Sequence, residues 1–522
     1  MKTFKLENVK SFVNSGEIEI KPISIFVGRN SSGKSSLIRF PVMLSQTYTE
    51  DIFTPFLFFG NQIDYGNFDD VIHNHNGEEI KFTLGFDKKQ ILRQPVYTYR
   101  SRFYKDSFRG ILNNHDDYSI SVTINKFNKK IVVKEFVFHF GESKLFTILR
   151  NSKNKYNLYF NKLISDTQLV ECDDNFKINI NLRFNKFMPQ LEIIHTNILI
   201  VQLIQLIDTE GIFDTSNNNI LEAIKDQEYD QATKILDNLS EEHQEILNRV
   251  QLYVSNIYMI ESLLKSLNRH FISFANTLSY IGPFRKDPER IYRESESSYM
   301  DVGKNGENAS MILRQSHQEK DKLLQKVSNW FLDSMGYKIN IEEIDNSNLF
   351  KLMVSSPDGK ISHNIMDVGY GVAQVLPIVT QIYYENTVDD EIRSMSRYGR
   401  KKTFVIEQPE LHLHPAAQAS LANLFVQKVI DSSEVNFLIE THSEHFIRKL
   451  QVLVADPDVK ITNNDIGIYY IDKMEGYSEV KIIHLNENGQ FIEQWPPGFF
   501  DKSFELSREL VRVSSKEKKN EN

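Results

Sequence analysis

Eight residues near the start of the chain, Gly28-Arg29-Asn30-Ser31-Ser32-Gly33-Lys34-Ser35, have the spacing GxxxxGK[ST]. That spacing suits phosphate. Glycines let backbone N–H groups curl around phosphate oxygens, the lysine brings positive charge to the β- and γ-phosphates, and the final hydroxyl reaches Mg²⁺. Ser36 extends the candidate phosphate-binding set by one residue. A second segment, Thr403-Phe404-Val405-Ile406-Glu407-Gln408-Pro409-Glu410, is an apolar run that ends in carboxylates. An acid in that position suits a magnesium ion held through its water shell at the carboxyl edge of a sheet. Ser35 and Glu407 are therefore the candidate metal-side residues. Two more segments carry groups of interest: Phe437 to Ser443, an apolar run leading to His442, and Asp367 to Pro377, which holds Gly369, Gly371 and Gln374.

The elements that must position these groups follow from periodicity. Ile23 to Val27 reads as a buried strand delivering the chain into the glycine loop. A helix is expected from Lys34, with Leu37, Ile38 and Met43 at helical spacing, and Pro41 should kink or end it. Phe4, Leu6 and Val9, then Ile18 and Ile20, suggest two earlier strands. Thr403–Ile406 and Asn436–Ile439 are the clearest later strands. Between the two ends, Phe82, Leu84 and Phe86 alternate, as do Ile120, Val122 and Ile124, then Phe136 and Phe138. Asn and Gly punctuate these runs, as in antiparallel hairpins. Apolar residues then recur at helical spacing, among them Ile220, Leu221 and Ile224; Ile235, Leu236 and Leu239; and Ile246, Val250 and Val254. The expected division is 1–90, the first part of an α/β head; 91–216, a β-rich lobe; 217–280, an insert of several helices; 281–490, the second part of the head; and 491–522, a closing segment with a disordered tail.

Composition narrows the classes. At 522 residues the chain has room for two or three structural units. A net charge of −9 limits any DNA or RNA contact to local basic patches. Candidates are Arg100 to Lys105 with Arg109 nearby, and Arg397 to Lys402. Cys172 is the only cysteine, which excludes a disulfide framework and a cysteine-based zinc site within this chain and points to a reducing, cytoplasmic setting. The apolar run Asn197 to Ile207 is broken by Gln202 and Gln205, well short of the roughly twenty apolar residues a membrane span needs, so no membrane partner is expected.

Ile406 to Pro415, IEQPELHLHP, resembles the Walker B and D-loop segment of ABC-type ATPases, above all the OLD-like and RecF-like branch. That branch includes the ATPase subunits of bacterial antiphage systems, Septu-like or retron-associated. Asp367 to Pro377 resembles the family's signature motif, and Phe437 to Ser443 its switch-histidine strand. Asn488-Gly489 through Trp495 to Asp501 resembles the close of these proteins. The likeness covers about 1–75 and 280–500.

What the resemblance implies is an ABC-type P-loop head that takes ATP and Mg²⁺ and pairs with a second copy. Gly369, Gly371 and Gln374 would then meet the nucleotide bound by the partner, and His442 would sense its γ-phosphate. Glu407, Gln408, Glu410 and His442 form the implied catalytic set. Gln408 departs from the pattern, because most such heads carry a glutamate there to activate water. Either hydrolysis is slow, or Glu410 supplies the base. Gln46 and Gln62 both qualify for the glutamine that contacts the metal or water. His412 and His414 fall within the D-loop likeness, and Arg285 has a place near the nucleotide or at the head interface. After His442 only about eighty residues remain, too few for the nuclease domain of OLD-type enzymes, and Glu479-Val480-Lys481 fits plain strand alternation. A nuclease effector, where one acts, is expected to be a separate protein. The rival expectations are a RecF-like DNA-repair clamp and the ATP-binding subunit of a transporter.

Overall fold

The computed structural model describes residues 1–75, 77–87, 117–152, 155–165, 168–172, 177–180, 182–191, 202, 241–395, 401–432, 434–496, 505–506 and 508–510. Within it the chain divides into two units: residues 1–19 with 43–276, and residues 20–42 with 277–522.

Period-two alternation builds the first unit. Its sheet has nine strands, eight of them in the spatial order Lys177–Ile180, Lys155–Phe160, Ser143–Ser152, Lys130–Phe140, Asp117–Phe127, Glu79–Asp87, Thr3–Val9 and Phe12–Asn14; the ninth, Ile18–Glu19, also pairs with Thr3–Val9. Every pairing in it is antiparallel. Register sets Phe4 beside Leu84, Leu84 beside Ile120, and Ile120 beside Phe138, so one face collects the apolar side chains. The 35-residue helix Glu241–Ala275 supplies matching apolar positions. Val250, Val254, Ile257, Ile260, Leu264, Leu267 and Phe271 are all buried, spaced by three or four residues, and Tyr253 is buried beside Val254. Phe271 meets Phe86 and Phe187 at ring-centroid distances of 5.6 and 5.1 Å.

This division differs from the one expected. Residues 1–19 pair into the β-rich lobe through Thr3–Val9 and do not stay with the phosphate loop. Of the expected helical insert, the described part is the long helix Glu241–Ala275; its part 217–240 lies outside the described residues, as do Arg100 to Lys105, Arg109, Arg397 to Arg400 and the tail after 510.

Continuous apolar runs build the second unit. Its six-stranded sheet runs Leu278–Ile281, Lys402–Glu407, Val435–Glu440, Ile23–Gly28, Ile466–Lys473, Ser478–Ile483. The first five strands are parallel and the last is antiparallel. Ile23–Gly28 and Val435–Glu440 are buried at every residue, which explains their lack of alternation. Helices Tyr370–Met395, Pro415–Asp431 and Glu444–Ala455 contribute to the same core. A smaller antiparallel sheet joins Tyr292–Arg293, Leu349–Ser355, Lys338–Glu343 and Ser362–Asn364. The fold is thus α/β with a large antiparallel region, as the sequence leads one to expect. No helix among the described residues is long and apolar enough to cross a membrane.

One buried polar contact in the first unit tests the packing of the long helix. Asn256 is 2% exposed, and its amide satisfies both backbone groups of Ile164, accepting from the N–H at 2.8 Å and donating to the carbonyl at 3.0 Å. Asn256→Ala is predicted to destabilise the unit by about 2 kcal/mol, from two stranded backbone groups set against a gain in helix propensity. Denaturant unfolding would measure it; a loss indistinguishable from zero contradicts this packing.

Candidate functional site

The parallel register brings four strand ends side by side. Ile281 pairs with Ile406, Glu407 with Glu440, and Glu440 with Phe26, just before Gly28. Ligands of such sheets collect at this carboxyl edge. Gly28 has φ +148°, and a Cβ there would collide with the Ile471 carbonyl of the neighbouring strand. A side chain is therefore excluded where the chain leaves the sheet. Arg29, Asn30 and Ser31 are exposed, Ser32 is buried with its hydroxyl unpartnered, and Gly33 caps a helix of only five residues, Lys34–Ile38. With so short a helix, phosphate affinity must come from the loop amides and Lys34 more than from a macrodipole. Pro41 falls in the first turn of a new helix, Phe40–Thr49, where its missing N–H does no harm. It ends the first helix instead of kinking it.

Lys34 is 4% exposed, and its ammonium folds back onto the loop, donating to the Gly28 carbonyl at 3.1 Å and the Arg29 carbonyl at 2.8 Å. Burial pulls its pKa down, while the charges of Glu440 and Glu410 push back. The Ser35 hydroxyl donates to Glu440 Oε2 at 2.8 Å. Glu440 is pushed up to about 7, first by burial and then by the charge of Glu407; Ser35, Lys34 and Arg39 oppose the shift.

Glu407 is held differently. Arg39 grips both its oxygens, Nε to Oε1 at 2.6 Å and Nη2 to Oε2 at 2.7 Å, and the Tyr280 hydroxyl donates to Oε1 at 2.7 Å. Burial, then Glu407, drives the Tyr280 phenol far above its ordinary pKa. Arg285 lies beneath the turn that follows, donating to the carbonyls of Glu407 at 2.6 Å and Gln408 at 3.1 Å. Burial lowers its guanidinium to about 10. Arg285 thus fixes the acidic turn from inside.

Gln408 adopts φ +46°, and its N–H donates to the Glu440 carbonyl at 2.7 Å. Glu410 is 8% exposed; its Oε1 accepts from the His442 N–H at 2.6 Å, and no hydrogen bond of ordinary geometry reaches Oε2, although the Thr441 hydroxyl is near enough to favour the charge. Burial nevertheless raises its pKa. His442 is held down to about 4 by burial and then by Lys34, so its imidazole is neutral at pH 7.

In the signature segment, Asp367 forms a two-armed pair with Arg290 at 2.6 and 3.0 Å, and the Tyr370 hydroxyl bonds Asp287. Gly369 is exposed, with no atom within 4 Å of where a Cβ would stand. Gly371 is different: a Cβ there would lie 2.5 Å from the His412 carbonyl oxygen, so this glycine lets the signature helix touch the D-loop segment of its own chain. Tyr370 and His412 also meet edge to face at 5.1 Å. Gln374, expected to reach outward, is 3% exposed on a packed helix. His414 caps the helix Pro415–Asp431. Among the described residues no group of three or more His, Cys, Asp or Glu could hold a metal ion, and Lys481 pairs with Asp472 across a strand ladder at 2.9 Å. In the first unit, Gln46 is fully buried and staples the loop 57–63, bonding the Leu57 and Ile63 carbonyls and the Ile63 N–H, while the Gln62 amide oxygen has no partner.

Glu440, Arg39 and Tyr280 were missed in the sequence. Glu440 carried a usable signal, since Phe437-Leu438-Ile439-Glu440 is an apolar strand ending in an acid just as Val405-Ile406-Glu407 is. Arg39 and Tyr280 carried none, because only the sheet order brings them to Glu407.

A glycine-lined loop, a buried lysine and paired acids at the carboxyl edge of a parallel sheet are the features of P-loop nucleotide sites. The chain belongs to the AAA ATPase domain family, whose model matches residues 1–447. It is accordingly an ATP-binding P-loop ATPase. Residues 461–510 match a family described as a protein of unknown function. Among solved structures, the Smc head domain from Pyrococcus furiosus, with an extended coiled coil and bound to the C-terminal domain of ScpA, aligns at 12% identity and TM-score 0.35, covering 98% of this chain and 99% of that one. The SMC head domain from Thermotoga maritima aligns at 10% identity and TM-score 0.31, covering 92% and 98%. Comparison with curated proteins gives no match.

The donors also fit the magnesium ion that accompanies nucleotide in such sites. Ser35 and the carboxylate it touches are hard oxygen ligands, enough for an ion held mainly by phosphates and water. Between pH 4.5 and 7 the folded chain keeps a proton on Glu440 that the unfolded chain releases. Stability must therefore fall as pH rises through this window. Relative to Glu440→Gln, wild type is predicted to lose about 2–3 kcal/mol between pH 4.5 and 7.5 in metal-free buffer. Parallel denaturant curves at the two pH values would show it; a pH-independent difference contradicts the assignment.

Proposed function

We propose that this chain is a slowly hydrolysing ABC-type ATPase whose head closes on a second copy around ATP, and which thereby controls a separately encoded effector, a nuclease, in antiphage defence. The observation that carries the nucleotide part is the buried Lys34 ammonium folded over its own loop carbonyls, beside a Ser35 hydroxyl engaged by an acid. Both groups are in place to turn toward phosphate and metal. Bound magnesium would supply charge neutralisation on the phosphates; the loop amides and Lys34 would hold and orient them.

Slow turnover follows from the acidic turn. Gln408 has an amide where a base is needed, and an amide orients water without taking its proton. Glu410 is a poor substitute, because it is buried and already accepts the His442 N–H. A neutral His442 can exchange hydrogen bonds with a γ-phosphate but adds no charge. Pairing of two heads is supported by exposed Gly369 ahead of the helix Tyr370–Met395, where backbone N–H groups can meet a partner's phosphate. Gly371 and Gln374 then serve as supports inside their own unit. The effector and defence part is supported by the likeness of residues 406–415 to antiphage ATPase subunits.

Lys34→Ala is predicted to weaken ATP binding by roughly 10- to 100-fold, through loss of its charge-assisted contacts. Gln408→Glu is predicted to raise the steady-state hydrolysis rate about tenfold or more. Calorimetry and phosphate release measure the two; unchanged affinity in the first or unchanged rate in the second contradicts the corresponding role. Light scattering of Gln408-containing protein with and without ATP tests head pairing, and a monomer under both conditions defeats it.

A further inference from the structure

Glu407 and Glu440 end adjacent strands in direct register, yet their surroundings differ. Glu407 is 1% exposed, and both its oxygens are bound by Arg39, one of them by Tyr280 as well. Together the two-armed Arg39 contact and the Tyr280 hydroxyl take three of the roughly four in-plane lone-pair sites of this carboxylate, which leaves at most one for a metal or its water. Glu440 makes no ion pair among the described residues, and its Oε2 accepts only a hydroxyl, that of Ser35. Ser35 is the loop residue whose oxygen faces the ion in sites of this pattern.

We infer that Glu440, not Glu407, is the protein carboxylate on the magnesium side of the nucleotide site, sharing that side with Ser35. Glu407 is then committed to Arg39 and Tyr280, and through its carbonyl to Arg285, and its work is to fix the turn Glu407 to Glu410. The two assignments have unequal consequences for the fold. Releasing Glu407 toward an ion breaks both arms of its contact with Arg39 and removes the acceptor of the buried Tyr280 hydroxyl. Releasing Glu440 frees one serine hydroxyl, which can itself turn to the same ion. The inference rests on the nucleotide-site reading above.

The test uses the full chain, a non-hydrolysable ATP analogue, and Mn²⁺ as a spectroscopic stand-in for Mg²⁺. Analogue affinity is first measured in chelator; Mn²⁺ binding to the analogue-loaded protein is then followed by electron paramagnetic resonance. Glu440→Gln is expected to weaken Mn²⁺ binding about tenfold or more, with metal-free analogue affinity maintained. Glu407→Gln is expected to leave Mn²⁺ affinity close to wild type while lowering the melting temperature. Full Mn²⁺ affinity in Glu440→Gln overturns the inference, and so does a loss in Glu407→Gln equal to or greater than that in Glu440→Gln. If Glu407→Gln does not fold, Glu440→Gln decides alone, since it keeps an acceptor for Ser35 and removes one of two neighbouring charges. Wild type that binds no analogue at all overturns the nucleotide-site reading instead, a distinct result.

Discussion

Two glutamates in register at the ends of neighbouring buried strands are the constraint around which the second unit is arranged. Neighbouring strands lie about 4.8 Å apart, so two buried negative charges there repel strongly unless each is answered. Arg39 and Tyr280 answer Glu407. Ser35 and, at longer range, Lys34 answer Glu440, which still retains its proton up to about pH 7. A phosphate-bound cation would relieve the same repulsion. The site is thus electrostatically unfinished on the side of Glu440 and finished on the side of Glu407.

The loops around these acids are tied together by backbone contacts more than by side-chain pairs. Gln408 and Glu410 each receive or give one bond to the strand end carrying Glu440 and His442. The acidic turn and the histidine turn are therefore hydrogen-bonded to each other, and Arg285 holds the base of the acidic turn. The D-loop segment in turn touches the signature helix at Gly371 and Tyr370. Covalent, hydrogen-bonded and packing contacts within this unit thus join the His442 turn to the signature helix that follows Gly369.

Much of this was legible in the sequence. The glycine loop, its preceding strand, the apolar strands ending at Glu407 and near His442, and the alternating run from Phe82 to Phe138 all appear where their periodicity puts them. Local pattern suffices for such elements, because burial on one or both faces dictates it. The missing parts depended on long-range pairing. Nothing local shows that Thr3–Val9 joins the β-rich unit, that Arg39 reaches an acid 368 residues away, or that Gln374 turns inward. Glu440 is legible locally, since it ends an apolar strand just as Glu407 does, two residues before His442.

The most direct test of the account is hydrogen–deuterium exchange of the full chain with and without magnesium-ATP. Exchange slows wherever bound nucleotide engages or shields backbone amides. Protection is predicted in the peptides spanning residues 28–36 and 435–443, with the nine-stranded sheet of the first unit unchanged. Unaltered exchange across residues 28–36 at saturating nucleotide would contradict the placement of the site.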